Sequence, residues 1–556
     1  MTKKRKLEIW TVVSIVLLAS FLFFLVYPMF GLLKESVISP EGNFTLEQFQ
    51  KFFSKNYYTG TIVNSMKVTI TVTAVSLLLG IPIAYFYSFY KIKGAKLLFV
   101  LSILCSMSAP FIGAYSWIML LGRNGDLTHL IEGFFHLIGF AEFEMGSIYG
   151  FKGILLVQSL KFFPLVFIYM NGAFKNIDNT LMEASANMGC TGVRRLFKIV
   201  LALSMPTILA AALMVFMQAF ADFGTPMLLG EGFQTFPVLI YNQYLGENGT
   251  DYNFAAALAV IAIIVTAIVF FFQKWATSRY KFSMNALHPV EKKNAKGLSG
   301  FLMHAYCYIL VAIAFLPQLY IIYLSFRDCD GAIFKPGFSL INYEQAMRKL
   351  LVRSIKNTAF MGILALLIII VIAVLIAYLV VRRGSALNNT IDTISMLPYI
   401  MPGAVIGLAL LLAFGKKPLA LTGTFAIMVI ALVIRRLPYT IRSATATLMQ
   451  ISMSIEEAAI SLGASKAKTF IKITVPMMAN GIMSGAILSW VAIVTELSSS
   501  IILYNNRSIT LTMSTYVAIT RGNYGIAAAF ATILTVVTTL SLILYLWVSK
   551  SEDVKL

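Results

Sequence analysis

About twelve times along this chain, apolar side chains run on for long enough to cross a bilayer, and no other feature restricts the fold so severely. A hydrocarbon core of ~30 Å takes ~20 helical residues, and inside it every backbone N–H and C=O must be paired within the protein. The approximate spans are 7–33, 62–90, 97–121, 151–172, 202–222, 254–273, 301–325, 357–381, 390–414, 420–443, 477–503 and 524–548. With 59% hydrophobic and only 12% charged residues, the natural solvent of the chain is lipid. The expected class is an all-α integral membrane protein.

Lysine and arginine set the orientation. Lys3, Lys4, Arg5 and Lys6, then Lys91, Lys93 and Lys96, then Arg194, Arg195 and Lys198, then the stretch from Lys274 to Lys296, all fall on one side of the predicted spans. The positive-inside rule makes that side the cytoplasm and puts both termini there. Loop 223–252 has no Lys or Arg, as an outer loop should, whereas loop 327–356 has six and departs from the rule. The formal charge of +20 is therefore mostly an orientation signal, and no nucleic acid partner is expected. The opening MTKKRKLEIWTVVSIVLLASFLFFLVY is too long in its apolar run for a signal-peptide core and lacks a small-x-small cleavage site, so it reads as an uncleaved anchor. Cys105, Cys190, Cys307 and Cys329 form no CxxC pair, and neither a disulfide framework nor a zinc site is indicated.

The stretch SIEEAAISLGASKAKTFIKITVP, residues 454–476, is polar and small between two apolar spans, and it has a twin. At an offset of 274 lies TLMEASANMGCTGVRRLFKIV: Thr180 answers Ser454, Glu183 answers Glu457, Gly189 answers Gly463 and Lys198 answers Lys472. The same offset pairs Lys161 and Pro164 with Arg435 and Pro438, and Asp222 with Glu496; upstream an offset of 293 pairs Asn64-Ser65 with Asn357-Thr358. The change places 19 extra residues in the outer loop 122–150 of the first half. The chain is thus two six-helix repeats, 1–275 and 301–556, joined by a basic cytoplasmic linker, 276–300. An even number of spans per repeat makes the copies parallel, with a pseudo-two-fold axis along the membrane normal and a pathway expected between them.

Physically, each twin reads as a capped knob. Thr180 with Glu183, and Ser454 with Glu457, have the spacing of a capping box. Ala184, Ser185 and Ala186, like Ala458 and Ala459, keep one face small, and Gly189 or Gly463 suits a left-handed stop. One copy alone reads equally well as an interfacial helix with no partner; two copies at matched depth favour docking.

These residues resemble the signature of the integral membrane permeases of binding-protein-dependent ABC importers: Glu-Ala-Ala, three residues, Gly, nine residues, Ile-x-Leu-Pro. The second copy fits with Val475 for leucine; in the first, Ser185 replaces the second alanine and Ala202 the proline. The resemblance implies a type I importer permease fold. It also implies that Glu183, Ala184, Ser185 and Gly189, and Glu457, Ala458, Ala459 and Gly463, couple the chain to two copies of a cytoplasmic ABC ATPase, with Glu457 and Gly463 mattering more. An extracytoplasmic substrate-binding protein and membrane lipid complete the implied partners. No GxxxxGK[ST] motif is present, so no cofactor is expected on this chain, and ATP with its magnesium belongs to the ATPase.

For the substrate, ADFGTPMLLG at 221–230 and ELSSSIILYNN at 496–506 look most like the fused permeases of the ferric-iron importers, a group that also includes importers of 2-aminoethylphosphonate and hexose phosphates. Asp222 and Glu496 lie ~24 to 30 Å above the knobs. Either they line the translocation path, or each caps a neighbouring helix or pairs with a basic residue. Lys161 and Arg435, each before a proline, read as path cations or as donors to freed carbonyls. A different class, an ion-coupled secondary transporter, would use Asp222 and Glu496 as its relay. His129, Glu132 and His136 share one helical face and suggest a metal site, against the plainer reading of an interfacial helix with its polar face in water.

Overall fold

A computed structural model describes residues 9–39, 41–107, 109–140, 143–245, 251–279, 290–295 and 297–549. Lys3, Lys4, Arg5 and Lys6, and the linker residues 280–289 and 296, lie outside the described residues. Seven helices are long and apolar enough to cross a membrane: Ile9–Val37, Asn56–Phe89, Phe151–Lys175, Tyr252–Phe272, Gly297–Phe326, Leu351–Arg382 and Tyr524–Leu544. Four bent pairs of shorter helices pass the same test together, which brings the number to eleven if each pair is one span. Phe425–Gln450, a helix of 26 residues, carries Arg435, Arg436 and Arg442 and so falls outside the apolar set, although at ~1.5 Å per residue it is equally long enough.

The bends are what hydropathy alone misses. Gly192–Leu203 turns by 75° into Met205–Ala221, Lys466–Met477 by 68° into Ala479–Val494, and Ala386–Ile400 by 112° into Gly403–Phe414. Proline, which has no N–H to donate, stands at or near each break as Pro206, Pro476 and Pro402. A two-stranded antiparallel hairpin, Arg327–Asp330 with Ile333–Phe338, is the one strand pair among the described residues outside isolated bridges, and it follows directly on the helix Gly297–Phe326.

Contacts group the chain into two compact units that differ from the two sequence repeats. One comprises Met1–Lys51, Gln243–Ala262 and Phe326–Leu556. Within it, the first helix packs on the second repeat: Trp10 meets Tyr378 at 4.6 Å and Phe470 at 5.1 Å between ring centroids, and Ser14 Oγ donates to Asn388 Oδ1 at 2.7 Å. The other comprises Phe52–Asn242 and Ile263–Ser325. Here the first helix of the second repeat packs on the first repeat, with Tyr306 Oη donating to the Leu79 carbonyl at 2.9 Å and Ser116 Oγ to the Pro317 carbonyl at 2.8 Å.

The repeat is visible in the hydrogen bonds inside each unit. Ser65 Oγ accepts from the Phe236 N–H at 2.7 Å, and Thr358 Oγ1 from the Leu511 N–H at 2.8 Å. Each hydroxyl caps the first turn of the matching helix, Phe236–Leu245 or Leu511–Thr520. Asn64 donates to the Gln234 carbonyl at 3.1 Å, and Asn357 to those of Arg507 and Ile509 at 2.7 and 2.9 Å. An asparagine followed by a hydroxyl thus holds the same loop twice.

Candidate functional site

The knobs form two short helices, Asn179–Asn187 and Met453–Ser461. Each starts one residue before the expected cap. Asp178 accepts from the Thr180 N–H and Ser452 from the Ser454 N–H, so Thr180 and Ser454 sit inside the first turn and the predicted capping boxes do not form. Asp178 and Ser452 are themselves partners at the offset of 274. Glu183 Oε1 instead accepts from Asn179 Nδ2 at 2.7 Å, one turn back.

Both helices stop as expected. Gly189 and Gly463 have φ of 75° and 90°, and the next N–H, of Cys190 or Ala464, closes on the Ser185 or Ala459 carbonyl at 2.8 or 3.1 Å. This is the six-residue closure of a Schellman motif, which a left-handed glycine permits at no steric cost. Ser185 and Ala459 are buried, whereas Glu183, Ala184, Glu457 and Ala458 are exposed. The serine that breaks the small-residue pattern is satisfied internally, because its Oγ donates to the Met182 carbonyl at 2.7 Å.

What the sequence missed is the apolar tip. Met188 is 86% exposed and its counterpart Leu462 is 90% exposed, and Leu181, Ile455 and Ile460 are exposed on the same short helices or at their ends. Beyond each knob, a π-helical turn, Leu196–Val200 or Phe470–Thr474, leads into the bend. These turns also correspond at 274 residues, and such insertions are concentrated at functional elements.

The two knobs are held differently. In the second, Arg382 at the end of Leu351–Arg382 donates to Glu456 Oε1 at 2.8 Å and to the Ile451 carbonyl at 2.7 Å, and both side chains are buried. In the first, the equivalent positions are Phe89 and Met182, both buried. A segment of the linker runs beside them: the Lys91 N–H donates to the Lys293 carbonyl at 2.9 Å and the Lys293 N–H to the Phe89 carbonyl at 2.8 Å. Tyr85, Phe89, Met182, Glu183, Arg195 and Lys292 are among the residues lining a cavity of about 450 Å³ there. Glu456 was not singled out in the sequence, although a charge in one copy facing methionine in the other was the available signal.

Asp222 and Glu496 are both buried and both engaged. Asp222 accepts from Gln158 Nε2 at 3.1 Å, Thr225 Oγ1 at 2.7 Å and the Gly224 N–H at 3.1 Å. Glu496 accepts from Arg435 at 2.9 Å, from Arg436, and from the Ser499 N–H and hydroxyl, each at 3.0 Å. Each carboxylate closes the turn after a bent span. Arg435 is correspondingly an ion-pair partner of Glu496. Gly403 makes room for it, since a Cβ there would lie 1.2 Å from Arg435 Nη1. Lys161 lies over the Phe162 ring, 5.2 Å from its centroid.

His129, Glu132 and His136 do not converge. Glu132 accepts from the Met145 N–H at 3.0 Å and His136 Nε2 lies 3.1 Å from the Phe143 carbonyl, so both fasten the following segment. Among the described residues no group of three or more His, Cys, Asp or Glu is placed to hold a metal.

The family model of the binding-protein-dependent transport system inner membrane component matches residues 76–282 and 369–553, once in each repeat. The chain is 29% identical over 555 residues to the ferric transport system permease protein FbpB of Actinobacillus pleuropneumoniae, covering 98% of this chain and 78% of the relative. It is 28% identical over 495 residues to the putative ferric transport system permease protein FbpB 1 of Haemophilus influenzae, covering 86% and 76%. The putative 2-aminoethylphosphonate transport system permease protein PhnU of Salmonella typhimurium is 22% identical and covers 49% of this chain and 92% of its own.

Proposed function

The chain belongs to the family of binding-protein-dependent transport system inner membrane components, and from that premise we propose that it carries ferric iron across the cytoplasmic membrane. It is a multi-pass ABC importer permease, a transport subunit. In the proposed assembly two copies of a cytoplasmic ATPase, each holding ATP and magnesium, take the helices Asn179–Asn187 and Met453–Ser461, and an extracytoplasmic binding protein delivers the substrate. Both termini then lie in the cytoplasm with the knobs.

The doubled apolar tip carries this reading. Methionine and leucine at 86% and 90% exposure, each beside a left-handed glycine at the end of a rigid short helix, are the kind of projecting anchor that a partner's groove covers. Ferric iron is supported by relatives that match nearly the whole chain, whereas the phosphonate relative matches half of it. Asp222 and Glu496 serve here by fixing the turns that follow Met205–Ala221 and Ala479–Val494; Arg435 serves through Glu496.

The test is uptake by proteoliposomes containing the chain, its ATPase and its binding protein. ATP-dependent uptake of radioactive iron is expected, and Met188→Ser with Leu462→Ser should abolish ATPase capture while leaving the chain folded. ATP-driven uptake of 2-aminoethylphosphonate but not iron would overturn the substrate alone. Uptake driven by a proton gradient without the ATPase would overturn the whole reading in favour of secondary transport through Asp222 and Glu496.

A further inference from the structure

The outer segment that departs from the positive-inside rule gathers its cations at one place. Helix Ile341–Lys349 ends in Arg348 and Lys349, and Leu351–Arg382 begins immediately with Arg353 and Lys356 in its first two turns. A third strand of chain brings Arg507 to them: Arg353 Nη1 donates to the Asn506 carbonyl at 3.4 Å, and Asn357 Nδ2 to the Arg507 carbonyl at 2.7 Å. All five side chains are exposed, and none of them is ion-paired among the described residues. The same is true of Glu344, the acid one turn before Arg348.

Their position along the helix identifies what they face. Phe360, Ile363, Leu367 and Val371 are 51–60% exposed and follow Arg353 and Lys356 at spacings of three and four, so cations and apolar residues form one stripe. An apolar stripe this exposed on a membrane-spanning helix is in contact with lipid chains. Arg382, at the far end of the helix, is bonded to the second knob, and Arg353 stands roughly 44 Å away at ~1.5 Å per residue. The hydrocarbon core takes up ~30 Å of that length, which leaves Arg353 and Lys356 at the headgroups of the membrane face opposite the knobs.

The fold does not demand these charges. The repeat offset of 293 puts Gly60 and Val63 at the positions of Arg353 and Lys356, and the offset of 275 that pairs Phe236 with Leu511 puts Gly232 at Arg507. The first half builds the same helix and the same loop without these three, although Lys55 stands at the position of Arg348. We propose that Arg353, Lys356 and Arg507, flanked by Arg348 and Lys349, form a binding site for the phosphate of an anionic phospholipid headgroup in the leaflet opposite the knobs. Two guanidinium groups and an ammonium offer several donors to one phosphate, and the apolar stripe below takes the acyl chains.

The experiment uses the full chain in phosphatidylcholine nanodiscs doped with spin-labelled phosphatidylglycerol or spin-labelled phosphatidylcholine, and reads the motionally restricted fraction of each. The wild type is expected to restrict phosphatidylglycerol preferentially. The triple variant Arg353→Gln, Lys356→Gln, Arg507→Gln should lose that preference by about fivefold per charge removed. A charge-keeping variant, Arg353→Lys with Arg507→Lys, should retain most of it, which separates loss of charge from loss of fold. Undiminished preference in the triple variant overturns the proposal, whether or not the variant also loses capture of the extracytoplasmic binding protein; with that loss, the patch is a protein-docking surface. Saturable binding of radioactive inorganic phosphate that the triple variant loses, with no phosphatidylglycerol preference in the wild type, also overturns it, because the ligand is then free phosphate.

Discussion

The ion pair that anchors the second knob gives the most demanding test of the structure. Arg382 and Glu456 have side chains only 9% exposed, their N–O distance is 2.8 Å, and Glu456 belongs to the short helix whose docking it secures. Removing the carboxylate leaves a buried guanidinium without its counter-charge, a loss of ~3–5 kcal/mol in comparable pairs. Arg382 keeps its bond to the Ile451 carbonyl at 2.7 Å, which puts the expected cost at the low end, about 3 kcal/mol. Every 1.4 kcal/mol is a factor of ten, so local opening of Met453–Ser461 should rise about 100-fold in Glu456→Met. Amide hydrogen exchange followed by mass spectrometry reads that opening on the knob peptide, with Asn179–Asn187 as the internal control. The first half supplies the rescue: Arg382→Phe with Glu456→Met recreates the Phe89 and Met182 pair, and exchange should return to within about fivefold of wild type, since a buried pair exchanged for packed apolar groups is close to neutral. Exchange in Glu456→Met within about threefold of wild type, or slower in that single variant than in the double, would refute the argument.

Three further outcomes follow from geometry. Gly463→Ala and Gly189→Ala each place a Cβ on left-handed backbone at ~1–2 kcal/mol, and both should reduce stimulation of the ATPase while leaving the melting temperature of the spans nearly unchanged. Ser65→Ala and Thr358→Val each uncap a helix in the same way, so thermal unfolding should show two similar losses of about 1 kcal/mol. Gly403→Ala should displace the Arg435 guanidinium and destabilise the chain about as much as Glu496→Gln; because both break one contact, the double variant should cost clearly less than the sum of the singles by denaturant melts.

The repeat was legible because it is written in chemistry that survives substitution. Asn64-Ser65 and Asn357-Thr358 keep a donor and a hydroxyl, Pro164 and Pro438 keep a proline inside the matching helix, and Gly189 and Gly463 keep a left-handed stop. Hydropathy located the spans, but it averages over windows and cannot register a bend: the run 390–414 reads as a single span while Pro402 accompanies a turn of 112° within it, and the run 477–503 begins at a turn of 68° that nothing in its hydropathy marks. Caps were misplaced because Asp178 and Ser452 compete for the same role as Thr180 and Ser454, and only the backbone decides which hydroxyl or carboxylate reaches the N–H of the first turn. The grouping of Ile9–Val37 with the second repeat was invisible for a different reason. Apolar lipid-facing helices carry no address in their composition, and the contacts that assign this one, Trp10 on Tyr378 and Ser14 on Asn388, join residues more than 360 positions apart.

Unequal anchoring of two equal knobs has a consequence for the working of the chain. Both present the same tip, Met188 or Leu462, at the same place after the same stop, so a partner built as two identical copies meets two matching contacts. Behind the tips the resemblance ends. The second knob is fastened by a charged pair to the end of a spanning helix, Arg382 to Glu456, and this bond fixes its direction as well as its depth. The first rests on Phe89 and Met182 beside a cavity, with the Lys293 segment of the linker bonded across the end of Asn56–Phe89. Apolar contact is tolerant of sliding and rotation where a bifurcated guanidinium bond is not. In the proposed assembly the same load on each tip is therefore transmitted stiffly to Leu351–Arg382 and compliantly to Asn56–Phe89, and the half whose motif departs further is the half whose knob has the room to yield.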